Sequence, residues 1–492
     1  MTLGILWPRD EPDPSRLEKI RTNIPARLDR LPWSRFHWLV VLALGASWAI
    51  DGLEVTLTGA VSGVLQHPGT LHLGAGQIGA VASFYLFGAV IGALVCGYLT
   101  DRHGRAKLFF ATLGVYLGGT LLTAFSWDFL SMAACRWITG FGIGGEYAAI
   151  NSAIDELIPA RVRGQVNLFI NGSYWIGAAL GSVATLALLD PAIFPVDIGW
   201  RLGFGIGAAL GLLVLVARRH VPESPRWLCI HGQHVRAEGI VAEIEARVRP
   251  VAGLAAAESD DYVVIHSRTR VGLGVVAATI FRKYPRRAAL GFVLITSQAF
   301  LYNAIFFTYA LVLTRFYAVP AAETGIYLLP FAIGNFAGPL LLGRLFDSLG
   351  RRVAISWSYA ISGLLLLATG ALFLQGLVSA RGQTALWSII FFFASAAASS
   401  AYLTVSEIFP QELRALAIAL FFALGTAAGG VAAPWLFGEL IASGSRASVF
   451  YGYALGSALM LVAAGVESWL GVDAERAPLE RVAPPLSTHP GG

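Results

Sequence analysis

The stretch GYLTDRHGRAK, residues 97–107, ends an apolar run and turns at once into a charged loop. Its pattern returns later in the chain as GRLFDSLGRR, residues 343–352. A second pair of motifs, DELIPARVRG at 155–164 and SEIFPQELRA at 406–415, recurs in the same order and at nearly the same spacing. Two motifs repeated in order indicate that the chain contains two copies of one larger unit.

The composition places both copies in a lipid bilayer. Of 492 residues, 56% are hydrophobic and only 13% are charged, about half the charged share of a soluble protein. A spanning helix needs roughly 20 mostly apolar residues. Twelve such runs occur, at 36–65, 77–99, 107–126, 128–152, 165–188, 200–218, 288–313, 322–345, 353–374, 384–408, 415–438 and 447–469. The predicted fold class is therefore an all-α membrane protein with 12 transmembrane helices in two six-helix bundles.

Polar segments set the domain limits. The predicted divisions are an N-terminal tail 1–35, a first bundle 36–218, a central linker 219–287, a second bundle 288–469 and a C-terminal tail 470–492 that we expect to be disordered. The linker contains GQHVRAEGIVAEIEARV, whose apolar spacing predicts an amphipathic surface helix.

The positions of arginine and lysine predict the orientation in a cell membrane. With both termini cytoplasmic, the short inner loops carry most of the basic residues, as the positive-inside rule requires. The short outer loops carry only Arg201, Arg315, Arg381 and Arg446. Because topology accounts for the basic residues, the formal charge of +5 gives no reason to expect a nucleic-acid partner.

Ionisable residues lie well inside the first and fourth apolar runs, where such residues are costly and usually functional. Asp51 and Glu54 are three apart in the first run and share a helix face. Arg136 and Glu146 lie in the fourth run. At 1.5 Å per residue, Glu54 lies roughly 16 Å and Arg136 roughly 12 Å from the outer ends of their runs. The two are therefore close enough for contact if the first and fourth helices adjoin.

The repeated motifs closely resemble those of the major facilitator superfamily, and within it the sugar porter and metabolite–proton symporter branch. PESPRWL at 222–228, followed by Gly232, resembles the segment that closes the sixth helix of sugar porters. The resemblance covers nearly all of 36–469 and implies two pseudo-symmetric bundles around a central site. It implies transport of a small-molecule substrate with protons by alternating access. Since one chain carries both halves, we expect a monomer.

The resemblance also implies a latch of charged residues at the inner helix ends. In the first half it comprises Asp101, Arg102, Arg105, Glu156 and Arg163, and in the second half Asp347, Arg351, Arg352, Glu407 and Arg414. The alternative is that these residues merely set topology and terminate helices.

In proton-coupled sugar porters a carboxylate on the first helix pairs with an arginine on the fourth. Glu54 and Arg136 occupy these positions here. A nearby arginine favours the ionised carboxylate, and its withdrawal favours protonation. Protonation and conformation are thereby linked. Asp51 is the competing proton site, and a fixed ion pair is the structural alternative.

The sugar porter pocket is only partly preserved. By position in the family's motifs, the substrate-binding candidates are Asn171, Gln298, Asn303 and Tyr402, with Trp175 and Tyr302 among the nearby aromatic residues. Leu301 replaces a family glycine, and the eleventh run lacks the expected polar side chains. Few hydrogen-bonding groups remain for a hexose. An organic acid or aromatic metabolite is thus as credible a substrate as a sugar.

Other classes of function lack their motifs. GFGIGG at 140–145 matches a dinucleotide fingerprint but follows no strand, so we read it as close helix packing. No P-loop, metal-ligand spacing or catalytic constellation is present, so neither an enzyme nor a cofactor is expected. A proton-independent facilitator, an efflux antiporter and a non-transporting membrane sensor remain alternatives to a symporter.

Overall fold

A computed structural model describes residues 19–103, 105–218, 222–230, 232–252, 263–266, 273–409 and 414–472. Its helices are α1 (Ile24–Arg30), α2 (Arg35–Val61), α3 (Ala75–His103), α4 (Arg105–Thr123), α5 (Phe129–Leu157), α6 (Ala160–Leu188), α7 (Val196–Arg218), α8 (Pro225–Ile230), α9 (His234–Ala252), α10 (Leu273–Lys283), α11 (Pro285–Tyr317), α12 (Thr324–Ser348), α13 (Arg351–Leu374), α14 (Ala380–Ile408), α15 (Arg414–Gly425), α16 (Ala432–Ala442) and α17 (Arg446–Leu470). The strands are β1 (Lys19–Thr22) and β2 (Val263–His266). A π-helical turn, Thr426–Val431, joins α15 to α16 into one long helix.

Each apolar run predicted from the sequence coincides with a helix to within a turn and a half. Within the described residues, nine helices are long and apolar enough to cross a membrane. The remaining long helices, α4, α5 and α6, are shorter or carry more polar residues. The all-α membrane fold is confirmed, while the count of twelve crossings stays a prediction.

The same helix pairs form in the two halves of the chain. In the first half the main pairs are α2 with α6, α3 with α5, α4 with α5 and α4 with α7. In the second half the matching helices pair in the same way, α11 with the π turn and α16, α12 with α14, α13 with α14 and α13 with α17. This repeat in packing follows the repeat in sequence, although the exact domain limits stay a prediction.

Two arginines reveal a repeat that the sequence reading missed. Arg201, near the start of α7, donates to the carbonyls of Ala124 and Ser126 beyond the end of α4, both at 2.8 Å. Arg446, at the start of α17, donates to the Phe373 carbonyl near the end of α13 at 3.0 Å. In each half, an arginine on the last helix thus donates to backbone carbonyls at or just beyond the end of the third helix.

Glycines bring α3 and α5 into backbone contact. A Cβ on Gly140 or Gly144 would collide with the α3 backbone, and one on Gly88 or Gly92 would collide with the α5 backbone. The GFGIGG stretch is therefore a packing motif, as its context predicted. The close approach holds the backbone of α5 directly against that of α3 at these positions.

The N-terminal segment, predicted only as a tail, is tied to the central linker. β1 pairs antiparallel with β2, with Lys19 opposite His266. Arg27 on α1 bonds Glu245 (Nε to Oε1, 2.8 Å) and Glu238 (Nη1 to Oε2, 2.5 Å) on α9. The Glu245 carboxylate raises the pKa of the Arg27 guanidinium above its usual range. The predicted amphipathic helix is confirmed as α9, and its apolar face packs against this assembly.

Arg27→Ala is expected to raise amide hydrogen exchange in β1 and α1 about tenfold, because hydrogen bonds to charged groups contribute about 1.5–3 kcal/mol each. Exchange measured by mass spectrometry checks this. The matched control is Arg247→Ala, which removes an exposed pair with Glu243 on the same helix α9 and should change exchange little. Equal effects of the two variants would contradict the role of Arg27.

The halves meet closely at one face of the molecule. This far face carries the α2–α3, α6–α7 and α16–α17 connections, opposite β1 and the linker. A Cβ on Gly79 of α3 would collide with the Pro434 carbonyl and lie 3.1 Å from the Gly438 Cα on α16. A Cβ on Gly325 of α12 would collide with Ser182 of α6. We call these two contacts the far-face seam, and they close that face in this structure.

Candidate functional site

Glu54 and Arg136 form a salt bridge in the middle of the first bundle, from Arg136 Nη1 to Glu54 Oε1. α2 supplies the carboxylate and α5 the guanidinium, as their estimated depths predicted. The residues are 1% and 0% exposed. Removing one partner of such a pair leaves a buried charge, at a cost of about 3–5 kcal/mol. The pair therefore holds two charges that can be separated only if one of them is neutralised.

Side chains from the neighbouring helices complete the surroundings of the pair. Thr120 of α4 donates to the second Glu54 oxygen, Oε2, at 3.0 Å. Tyr116, one turn before Thr120 on α4, is buried beside it. The Tyr85 ring lies 4.5 Å from the Arg136 guanidinium carbon. Sequence reasoning missed these three residues, since nothing in the apolar runs shows which way each helix turns.

Two other buried carboxylates lie on the same two helices as the pair, at different distances from it. Asp51 is one turn from Glu54 on α2 and is 2% exposed. Glu146 is buried on α5, ten residues and thus roughly 15 Å along the helix from Arg136. Asp51, the nearer to the pair, stays the competing candidate for the proton site.

An aromatic cluster bridges the halves at the centre of the molecule. Trp175 of α6 lies 5.7 Å from Phe306 and 6.4 Å from Tyr302 of α11, between ring centroids. Phe391 of α14 lies 5.2 Å from the Tyr302 ring and 5.1 Å from the Phe306 ring. Trp175 and Tyr302 are only partly buried, while Phe306 and Phe391 are buried. The structure thus brings two predicted pocket residues together on an apolar surface.

Asn335 of α12 is the polar centre of this cluster, and sequence reasoning missed it. Its Oδ1 accepts from the Tyr302 hydroxyl at 2.6 Å, and its carbonyl accepts from Ser395 Oγ of α14 at 2.7 Å. That carbonyl is free because Pro339, four residues on, has no N–H to donate. A lone asparagine between Pro330 and Pro339 in an apolar run was the available signal.

Among the other predicted pocket residues, two side chains adjoin each other. Gln298 Nε2 lies 3.4 Å from the Tyr402 hydroxyl, so these two adjoin. Asn303 Nδ2 instead donates to the Ala299 carbonyl on its own helix at 2.8 Å and lies beside Gly430 of the π turn. Asn171 is exposed on α6, one turn before Trp175. Their role in substrate binding stays a prediction.

Most of the predicted latch lies outside the described side chains, namely Asp101, Arg102, Arg105, Glu156, Arg163, Asp347, Glu407 and Arg414. Of the remaining two, Arg352 donates to the Ser468 carbonyl near the end of α17, within its own half. Arg351 starts α13 beside it. In this structure Arg352 caps the C-terminal end of α17. The latch stays a prediction.

The comparisons with known proteins agree with this architecture. The family model described as "Sugar (and other) transporter" matches residues 56–467. The niacin transporter NiaP of Acinetobacter baylyi is 25% identical over 94% of this chain and 99% of its own length. The 4-hydroxybenzoate transporter PcaK of the same organism is 30% identical, but the match covers 46% of this chain and 47% of PcaK. A putative metabolite transport protein of Bacillus subtilis, YyaJ, is 31% identical over 47% of this chain and 50% of YyaJ.

Solved structures show the same fold. The inward-open xylose transporter XylE of E. coli superposes with a TM-score of 0.69, over 91% of this chain and 98% of XylE at 20% identity. The family and the structural neighbours consist of transporters rather than enzymes. This multi-pass membrane chain belongs to the sugar and other transporter family of the major facilitator superfamily.

Proposed function

We propose that the protein is a proton-coupled symporter of a small organic solute, with Glu54 as the proton carrier. The single observation that supports this most is the fully buried Glu54–Arg136 pair. Burying an ionisable residue at this depth costs free energy, and residues placed there usually have a function. The pair lies within the first bundle, so a proton there can alter packing without competing for the solute site.

The chemistry of the cycle follows from the contacts of Glu54. In the ionised state the carboxylate accepts from Arg136 and Thr120, so both oxygens are satisfied. On protonation one oxygen becomes a donor, and Arg136 loses its counter-charge. The bundle then reaches a different lowest-energy arrangement, and the site opens to the other side. Return requires release of the proton and re-formation of the pair.

For the solute we favour a small planar ring compound, such as an aromatic carboxylate, over a hexose. The central cluster presents the faces of Trp175 and Tyr302, and aromatic faces bind rings by stacking. The side-chain amide of Asn335, its best hydrogen-bonding group, is already occupied, because Oδ1 accepts from the Tyr302 hydroxyl and Nδ2 donates to the Phe331 carbonyl. The names of two relatives give niacin and 4-hydroxybenzoate as their substrates, and both compounds are aromatic carboxylates.

Uptake into proteoliposomes tests the proposal. Labelled benzoate-type acids, nicotinate and hexoses would be offered with and without an inward proton gradient. Symport predicts that one solute accumulates above its external concentration only when the gradient is present. Uptake that merely equilibrates under both conditions would replace the symporter by a facilitator, and outward movement driven by the same gradient would indicate an antiporter.

Tyr302→Leu is expected to raise the KM for a ring solute about tenfold, since an aromatic pair contributes about 0.5–1.5 kcal/mol beyond its area. Tyr302→Phe keeps the ring and should stay within about threefold of wild type. Initial uptake rates over a concentration series check this. A KM that is the same in wild type and Tyr302→Leu would remove Tyr302 from the solute site.

A further inference from the structure

The Arg136 guanidinium is held by one hydrogen-bonded partner and by an aromatic face. Its Nη1 donates to Glu54, while its Nε and Nη2 have no hydrogen-bond acceptor among the described residues. The Tyr85 ring centroid is 4.5 Å from the guanidinium carbon, and the Phe204 centroid is 5.5 Å from it. A desolvated cation gains substantially from such a contact. Tyr85 is therefore the second stabilising partner of the Arg136 charge.

The position of Tyr85 relative to Arg136 is rigidly set. Gly140, one turn after Arg136 on α5, lies directly against the Tyr85 carbonyl, where a Cβ would collide with it. Gly144 makes the same approach to Ala89, one turn further along α3. Because the two backbones touch here, a change at Arg136 reaches the Tyr85 ring without being absorbed by loose packing.

Tyr85 also touches the opposite half of the molecule. Its ring centroid is 5.8 Å from that of Phe307 on α11, at an interplanar angle of 59°. The two rings form a buried cluster with Ala82 and Leu86 of α3, against which Val55 and Val431 pack. Val55 follows Glu54 in sequence, and Val431 ends the π turn. The cluster thus joins the ion pair to the interface between the halves.

We propose that Tyr85 is a positioning residue that transmits the protonation state of Glu54 to the second half through Phe307. When Glu54 takes up a proton, Arg136 loses its counter-charge and depends more on the face of Tyr85. The ring follows the guanidinium, and its contact with Phe307 changes the packing of α3 on α11. The inference rests on the proposed proton coupling and extends it to the contact that carries the signal between the halves.

Two measurements on the same proteoliposomes test this: proton-driven accumulation, and solute exchange at equal pH on both sides. Tyr85→Leu removes the aromatic face and is expected to lower accumulation about tenfold, whereas exchange falls by no more than about threefold. Phe307→Leu should reproduce this pattern. Tyr85→Phe keeps the face and should restore accumulation. The control Phe437→Leu, a buried ring of α16 that contacts Phe300 and Tyr453 instead, should leave the ratio of accumulation to exchange as in wild type.

The outcomes are distinct. If Tyr85→Leu lowers exchange and accumulation in equal proportion, the residue only supports folding and the inference is wrong. If Tyr85→Phe fails like Tyr85→Leu, the aromatic face is not the link, and the inference is equally wrong. If wild type accumulates no solute under a proton gradient, the proposed symport fails and takes this inference with it. Wild-type accumulation with an unaffected Tyr85→Leu variant overturns the inference alone.

Discussion

Glu54→Gln is expected to abolish proton-driven accumulation while the protein still exchanges solute. Glutamine fills the same space, its amide oxygen can still accept from Arg136 and its NH2 can donate to the Thr120 hydroxyl, but it cannot carry a proton. One charge moved across 100 mV gains about 2.3 kcal/mol, enough for roughly 50-fold accumulation. The variant should therefore fall from that level to simple equilibration, measured as the steady-state ratio of internal to external solute.

Two further variants test whether the loss of accumulation is specific to Glu54. Glu467→Gln alters a carboxylate of the second half that is also 1% exposed, and it should keep accumulation. Asp51→Asn shows which of the two neighbouring carboxylates on α2, Asp51 or Glu54, carries the proton. If Asp51→Asn loses accumulation and Glu54→Gln retains it, Asp51 is the proton carrier, and the Glu54–Arg136 pair is a fixed structural contact.

The second large effect is expected at the far-face seam. Gly79→Leu places a side chain where the Pro434 carbonyl and the Gly438 Cα already lie. Alternating access requires the two halves to close at each face in turn. A leucine in the seam prevents closure of the far face, so exchange and net uptake should both fall more than tenfold, since overpacking a close contact costs about 1–3 kcal/mol.

Gly118→Leu is the matched control for this substitution. Gly118 lies on α4, and a Cβ built there meets nothing within 4 Å. It should transport normally. To separate a jammed cycle from misfolding, solute binding to purified Gly79→Leu protein would be measured in detergent, where it should persist. Transport by Gly79→Leu at the wild-type rate would show that the far face need not close as tightly as it does here.

The helices and the similar depths of Glu54 and Arg136 could be predicted from the sequence because they depend on local regularities. An apolar run has a required length, and helical rise converts sequence position into depth. These two rules put Glu54 and Arg136 at similar depths, and the resemblance to proton-coupled sugar porters supplied their pairing. The helical spacing of apolar residues predicted α9, whose buried residues repeat at that spacing.

The residues that the sequence could not identify depend on how each helix is rotated about its axis and on which distant helices pack against it. Tyr85, Tyr116 and Thr120 sit among many similar residues, and only the rotation of α3 and α4 selects those that face Glu54. Asn335 matters because Pro339 frees its carbonyl and α14 brings Ser395 to it, which requires three helices in place. Arg201 and Arg446 were assigned to loops, although each binds backbone carbonyls at or just beyond the end of another helix.

The pairing of β1 with β2 has a consequence for biosynthesis. Lys19 leaves the ribosome long before its partner His266, an interval of roughly ten to fifty seconds at usual elongation rates. During that time the apolar side of α1, including Ile24 and Leu28, has no linker to pack on. The N-terminal segment docks only when the whole first half and most of the linker have been translated. An N-terminal tag or an early chaperone contact would therefore compete with docking during synthesis, before the second half exists.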